Sequence, residues 1–284
     1  MPLKTILVHL ETEAQALAVT QVAIGLAKTH AAHLIGLHVV PDPFISAAVP
    51  PEVVGELLDA QRNANLAGAK RIGETFNVAL AQANVPFEWQ AIEAHFESAA
   101  SIVIRQGNAA DLVVLGQPDR SINLIEGIAT PEEVMLGLGR PVVIVPNKPS
   151  VTTIGQRVLL GWNGNRESAR AAFDALPFLQ KAESVRLLAA GRPHGAHWGG
   201  IRDDAAPTGA IVAALARHGV RASVATTEAG PAEVASALLA QAKEHRSDLI
   251  VMGGYGHWRM REIVFGGATH GILEHATIPV LMSH

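Results

Sequence analysis

The chain has no cysteine, which excludes disulfides, cysteine-ligated zinc and a thiol nucleophile. Aromatic residues are scarce, 4% against 49% hydrophobic overall, so the core must be built from Ala, Val, Ile and Leu. That composition suits buried parallel strands flanked by helices. A strong excess of one charge is missing too. The net charge is −4, without the basic surplus of a general nucleic-acid binder. No uninterrupted apolar run approaches the ~18 residues of a membrane span. The N-terminal MPLKTILVHLETEAQ lacks the length and cleavage site of a signal peptide. The expectation is a cytoplasmic protein that works on neither nucleic acid nor membrane. Motifs that would fix an activity are also absent: there is no G-K-[ST] P-loop, GxGxxG, GxSxG or HExxH.

What the chain does have is one plan written twice. TILVHL (5–10) and RVLLGWN (157–163) are each followed by a helical stretch. HLIGLHVV (33–40) matches SVRLLAAG (184–191), and FEWQAIEA (87–94) matches RASVATTEA (221–229). DLVVLG (111–116) matches DLIVMG (248–253), and RPVVIVP (140–146) matches IPVLM (278–282). Strands that are apolar on both faces and alternate with helices predict parallel sheets with right-handed crossovers. The repeated order favours two five-stranded α/β units over one ten-stranded doubly wound sheet. The expected domains are 1–148 and 155–284, joined through the polar, turn-rich NKPSVTTIGQ (147–156). The first copy holds extra residues at 41–72, a proline-marked loop and then a long helix beginning near Val53.

GGYGHWRMREIVFGGATHG (253–271) has more glycine than a turn requires. In an open parallel sheet, ligands sit beyond the carboxyl ends of the strands, where strand order reverses. Gly253 ends a predicted strand there, and Gly266 and Gly267 open the helix ATHGILEHA. A helix start presents unpaired N–H donors and a positive dipole end, and His257, Arg259 and Arg261 add positive charge. The physical reading is a phosphate cradle. Two tight turns around a surface loop, with Trp258 and Phe265 packed for stability, account for the same residues equally well.

The spacing Gly253-x2-Gly256-x9-Gly266, directly after DLIVM, resembles the nucleotide-binding signature of the universal stress proteins, and the resemblance extends over the whole chain as two tandem copies. It implies an adenine nucleotide alpha hydrolase-like fold with strand order 3-2-1-4-5 in each copy and pairing through the last strands. It also implies an adenine nucleotide such as ATP as ligand, with or without Mg. In the family an Asp after the first strand meets adenine; the matching residue here is Asn163, which offers both an acceptor and a donor. Gly253, Gly256 and Gly266 match the phosphate-loop glycines. The hydroxyl residue expected next is replaced by Gly267, and the nearest hydroxyl is Thr269.

The first copy departs further. Gly116 is kept, Pro118 removes a donor, Asp119 stands at the second glycine position, and Leu10 or Glu11 stands at the adenine position. Its expected role is structural, completing an intramolecular pseudo-dimer. Pairing of whole chains into a homodimer is left open. No cluster of histidines has metal-ligand spacing: His194 and His197 fall in a loop, and His270 and His275 are five apart. The loop 193–209 is read either as a cover for the site or as plain surface. The expectation is a nucleotide-responsive stress factor that binds and signals. A slow ATPase, with Glu262 orienting water, and a nucleotide-free interaction module are the alternatives.

Overall fold

The computed structural model describes residues 3–44, 49–118, 131–151, 153–190, 197–198, 201–202, 208–227, 229, 233–255 and 267–284. They fall into two compact units, Leu3–Leu138 and Gly139–His284. The first contains β1 (Thr5–His9), α1 (Glu13–His30), β2 (His33–Val40), α2 (Pro51–Ala81), β3 (Phe87–Glu93), α3 (Ala99–Gly107), β4 (Leu112–Gly116) and α4 (Pro131–Leu138). Its strands are all parallel, in the order β3-β2-β1-β4. Helix α1 packs with α2, and α3 with α4. Two helix layers follow from right-handed crossovers that run in opposite directions from β1.

The second unit contains β5 (Val142–Val145), β6 (Arg157–Trp162), α5 (Arg166–Asp174), α6 (Leu176–Leu179) and β7 (Ser184–Ala190). After these come β8 (His197–Trp198), β9 (Ile201–Arg202), α7 (Thr208–Arg217), β10 (Ala222–Thr227), α8 (Val234–His245), β11 (Leu249–Gly253), α9 (Gly267–His275) and β12 (Val280–Ser283). The sheet order is β10-β7-β6-β11-β12-β5. The first five strands reproduce the expected 3-2-1-4-5 order and are parallel. The sixth is different. β5 closes the first copy in sequence, yet it lies antiparallel to β12, with Val280 opposite Ile144 and Met282 opposite Val142. The repeat therefore divides five and five in sequence, whereas packing divides the strands four and six. An apolar closing strand such as VVIV needs a covered edge, and β12 supplies one. β5 is buried at every position.

Strand interiors follow from composition. Ile6, Leu7, Val8, Val113, Val114, Leu159, Leu160, Ile250 and Val251 are wholly buried. The repeated aspartates turn out to be structural. Asp111 Oδ2 accepts from the N–H groups of Lys4 and Thr5, at 2.7 and 3.0 Å. The Asp248 carboxylate accepts from Gly155, Gln156 and Arg157 at 2.9 to 3.0 Å. Each one fixes the entry to its copy's first strand, at the amino end of the sheet. Two elements differ in extent from expectation. Helix α2 runs through Ala81, well past Ile72, because no proline or turn cluster interrupts it. The helix expected over 166–179 breaks at Ala175, where Pro177 follows and starts the short α6. Among the described residues no helix is long and apolar enough to cross a membrane.

Candidate functional site

In the second unit the chain leaves β6 for β7 on one side, and β11 returns on the other. The carboxyl ends of β6 and β11 are therefore the point where strand order reverses. Val251 pairs with Leu160, and the same register two residues on sets Gly253 level with Trp162. Gly253 also pairs with Ser283. Trp162, Gly253 and Ser283 thus form one row across three strands, on the face that α5 covers.

Gly253 has a close neighbour of its own chain. A Cβ there would lie 2.5 Å from the Glu167 carbonyl carbon and 2.6 Å from the Ser168 nitrogen. The glycine is required because the first turn of α5 sits directly on the strand end. The sequence reading gave that position to an approaching phosphate; the nearest backbone is that of a helix. Such packing is one of the known uses of glycine at a strand-to-helix ligand site.

Asn163 is exposed just past β6, and its Oδ1 accepts from the Asn165 N–H at 3.1 Å. The Ser168 Oγ donates to the Asn165 carbonyl at 2.9 Å, which tightens the same turn. Arg166, 76% exposed, opens α5 beside Asn163, with its Nε 3.2 Å from Glu167 Oε1. Arg166 and Glu167 escaped the sequence reading. Asn165 followed by a charged helical start was the available signal, an N-cap that places the helix end at the site.

Beyond β11 the backbone donors are taken in turn. The Gly254 N–H donates to the Ser283 carbonyl at 2.9 Å, and the Tyr255 N–H to Thr269 Oγ1 at 3.3 Å. Tyr255 has φ of 52°, so the loop turns sharply there. Thr269 is 4% exposed, and its hydroxyl ties the loop to the first turn of α9. His284 Nδ1 lies 3.1 Å from the Gly254 carbonyl. Gly267 is the exposed first residue of α9. Gly253, Gly254, Tyr255, Gly267 and Thr269 are thus brought together. Gly256, His257, Arg259, Arg261 and Gly266 lie outside the described residues, as does most of 193–209. Within that loop, His197–Trp198 pairs antiparallel with Ile201–Arg202.

Two buried polar atoms flank Gly253 in the row. Neither Trp162 Nε1 nor Ser283 Oγ has a hydrogen-bond partner within the described protein. Buried groups of this kind are normally satisfied by a ligand or an ordered water. This end of the sheet thus holds two buried polar atoms without partners, and α9 starts alongside it.

The first unit builds its equivalent corner differently. Ile6 pairs with Leu112 as Val158 pairs with Leu249, which sets Glu11 level with Asn163 and Gln15 level with Glu167. A Cβ on Gly116 would fall on the Gln15 side chain rather than on helix backbone. Gln15 is buried, and its Nε2 donates to the Gln117 carbonyl at 2.7 Å. Below it, His9 is 2% exposed, and burial with His38 nearby pushes its pKa down to about 3. Burial also lowers the pKa of His38, whose Nδ1 lies 2.7 Å from the Leu10 carbonyl. The neutral His9 ring lies 3.6 Å from Glu11 without forming an ion pair. Asp119 lies outside the described residues. Among the described residues no group of three or more His, Asp or Glu is arranged to hold a metal ion.

A family model described as the universal stress protein family matches residues 2–146 and 155–284. Two solved structures are similar over nearly the whole chain. One is a universal stress protein from Archaeoglobus fulgidus DSM 4304, 15% identical, covering 98% of this chain and 95% of its own, with TM-score 0.65. The other is a putative universal stress protein from Pseudomonas aeruginosa UCBPP-PA14, 16% identical, covering 99% and 93%, with TM-score 0.56. At that identity the likeness speaks for the fold. No curated protein matches the sequence.

Proposed function

We propose, for a chain that belongs to the universal stress protein family, that its second repeat binds an adenine nucleotide of the ATP type. The first repeat serves as a structural partner, and the protein acts as a binding and signalling factor in the stress response. The observation that carries this is the row Trp162–Gly253–Ser283 at the reversal point of the sheet, with its two buried polar atoms lacking partners. The spacing Gly253-x2-Gly256-x9-Gly266 supports it. In this reading Asn163 lies at the adenine, Arg166 approaches the anion, and the phosphates meet N–H groups from Gly256 onward and from the start of α9. Gly254 and Tyr255 cannot contribute, because their donors are already used. The antiparallel β5–β12 pair supports an intramolecular pseudo-dimer, with the two copies' closing strands side by side.

The test is a melting series with ATP, ADP, AMP and cyclic AMP on the wild type and on Gly256→Asp. Ligand at a hundredfold its Kd should stabilise the wild type by about 2.7 kcal/mol and leave the variant unmoved. Phosphate release measured in the same samples separates a binding protein from a slow ATPase. One observation favours a second reading, a nucleotide-free interaction module: the glycine at 253 is already required by α5. An unchanged melting temperature with every nucleotide would select that reading.

A further inference from the structure

The first turn of α5 carries a charge pair that the first repeat lacks. Arg166 and Glu167 are neighbours in sequence, with Arg166 Nε donating to Glu167 Oε1 at 3.2 Å. The register that sets Glu11 level with Asn163 puts Ala14 and Gln15 at these two places in the first repeat. Both charges are present in one copy and both are absent from the other. Among the described residues neither side chain has a further hydrogen bond or ion pair.

The two partners stand in different surroundings. The Arg166 side chain is 76% exposed and the Glu167 side chain 12%. The Cβ of Glu167 lies 2.7 Å from where a Cβ on Gly253 would fall, so its side chain leaves the helix over the end of β11. An acid in the first turn of a helix suits the dipole, but an exposed one would serve as well. A carboxylate withdrawn from water loses hydration and leans on whatever cation is at hand. Here that cation is Arg166. The pair is lopsided: packing fixes the carboxylate, while the guanidinium sits on a long, solvated stem.

We infer that Glu167 is a built-in competitor at the anion site. This rests on the reading that the second repeat takes an adenine nucleotide with Arg166 toward its phosphates. In the empty site Glu167 holds the guanidinium. A phosphate offers that guanidinium a bidentate partner, so binding draws Arg166 off the carboxylate. The ligand's affinity is reduced by what that exchange costs, and the carboxylate also repels the incoming charge. The site is thereby set to respond to nucleotide at high concentration rather than to stay filled.

The test is isothermal titration of Mg·ATP into the full chain carrying Glu167→Gln, Arg166→Ala or both, beside the wild type. Glu167→Gln, which installs the first repeat's residue, should tighten binding about fivefold, the scale of one solvated ion pair. With Arg166→Ala there is no guanidinium to release, and the same substitution should gain about twofold or less. The difference between the two gains is the coupling that exchange produces and repulsion alone does not. Melting without nucleotide checks that each variant is folded. Glu167→Gln keeps the side chain's shape and leaves no buried charge, so its arm stands even where Arg166→Ala unfolds. Equal gains in both backgrounds would overturn the inference, since a carboxylate that merely repels acts with or without Arg166. Unchanged affinity in Glu167→Gln would overturn it too, and in both cases the nucleotide site itself would stand. Binding to neither the wild type nor Glu167→Gln would remove the site, and the inference with it.

Discussion

Gly116 and Gly253 end corresponding strands of the two repeats, and each would be crowded by a Cβ, but by different neighbours. At Gly253 the obstacle is the backbone of α5; at Gly116 it is the movable end of Gln15. In the second repeat two buried polar atoms of the row, Trp162 Nε1 and Ser283 Oγ, have no partner among the described residues. In the first repeat Gln15 turns inward and satisfies the Gln117 carbonyl. One corner keeps two unpartnered polar atoms, while in the other the matching helix residue is tied down by its own hydrogen bond. The same glycine at matching strand ends therefore meets different neighbours.

The comparison can be broken most sharply at the glycines themselves. Gly253→Ala must push α5 off the strand end and should cost about 3 kcal/mol. Gly116→Ala need only displace Gln15 and should cost about 1 kcal/mol, one hydrogen bond. Denaturant unfolding followed by hydrogen exchange, which resolves the two units, measures both. Equal losses would remove the distinction.

Acid should come next in size. His9 is buried neutral with its pKa near 3, whereas an unfolded histidine titrates near 6.5. The folded value is the lower one, so its stabilisation is complete above pH ~6.5 and is lost as pH falls toward 3. At pH 5 the loss should be about 2 kcal/mol. His38 and His245 are also depressed by burial and act in the same direction. His9→Leu should flatten the pH dependence of urea unfolding between pH 6.5 and 5. The second repeat has Gly161 level with His9, so its exchange protection should be unaffected by that substitution.

A smaller contrast lies at the opposite end of the sheets. Asp248→Ala strands three backbone donors and Asp111→Ala two. The expected costs are about 2 kcal/mol and about half that. The smallest stability effect is expected from Thr269→Val, which removes one 3.3 Å bond to Tyr255. It should lower stability by less than about 1 kcal/mol and still weaken nucleotide affinity, because it unties the loop from α9.

The strands were legible because Val- and Leu-rich runs such as DLIVM and DLVVL admit little besides a doubly covered sheet, whereas their order in the sheet was implied by the family resemblance. The repeat was legible because Asp111 and Asp248, Pro141 and Pro279 fall at matching points. The pairing of β5 with β12 was not, since a short VVIV run carries no information about its neighbour; only the resemblance to a family implied it. Of the residues singled out in the sequence, Gly253, Gly267 and Thr269 come together at one end of the sheet, and Asn163 lies just past β6. The reason for Gly253 was hidden, because a sequence cannot tell whether a glycine admits a ligand or a helix. No local spacing marks Arg166 or Ser283: strand pairing sets Ser283 beside Gly253, and Arg166 opens the helix whose first turn packs on that glycine.

The central claim is that nucleotide binding is confined to the second repeat. Isothermal titration of Mg·ATP into the wild type, Gly116→Ala and Gly256→Asp tests it most directly. The account predicts one site per chain in the wild type and in Gly116→Ala, and none in Gly256→Asp. Two sites per chain, a site that survives Gly256→Asp, or no binding to the wild type would contradict it.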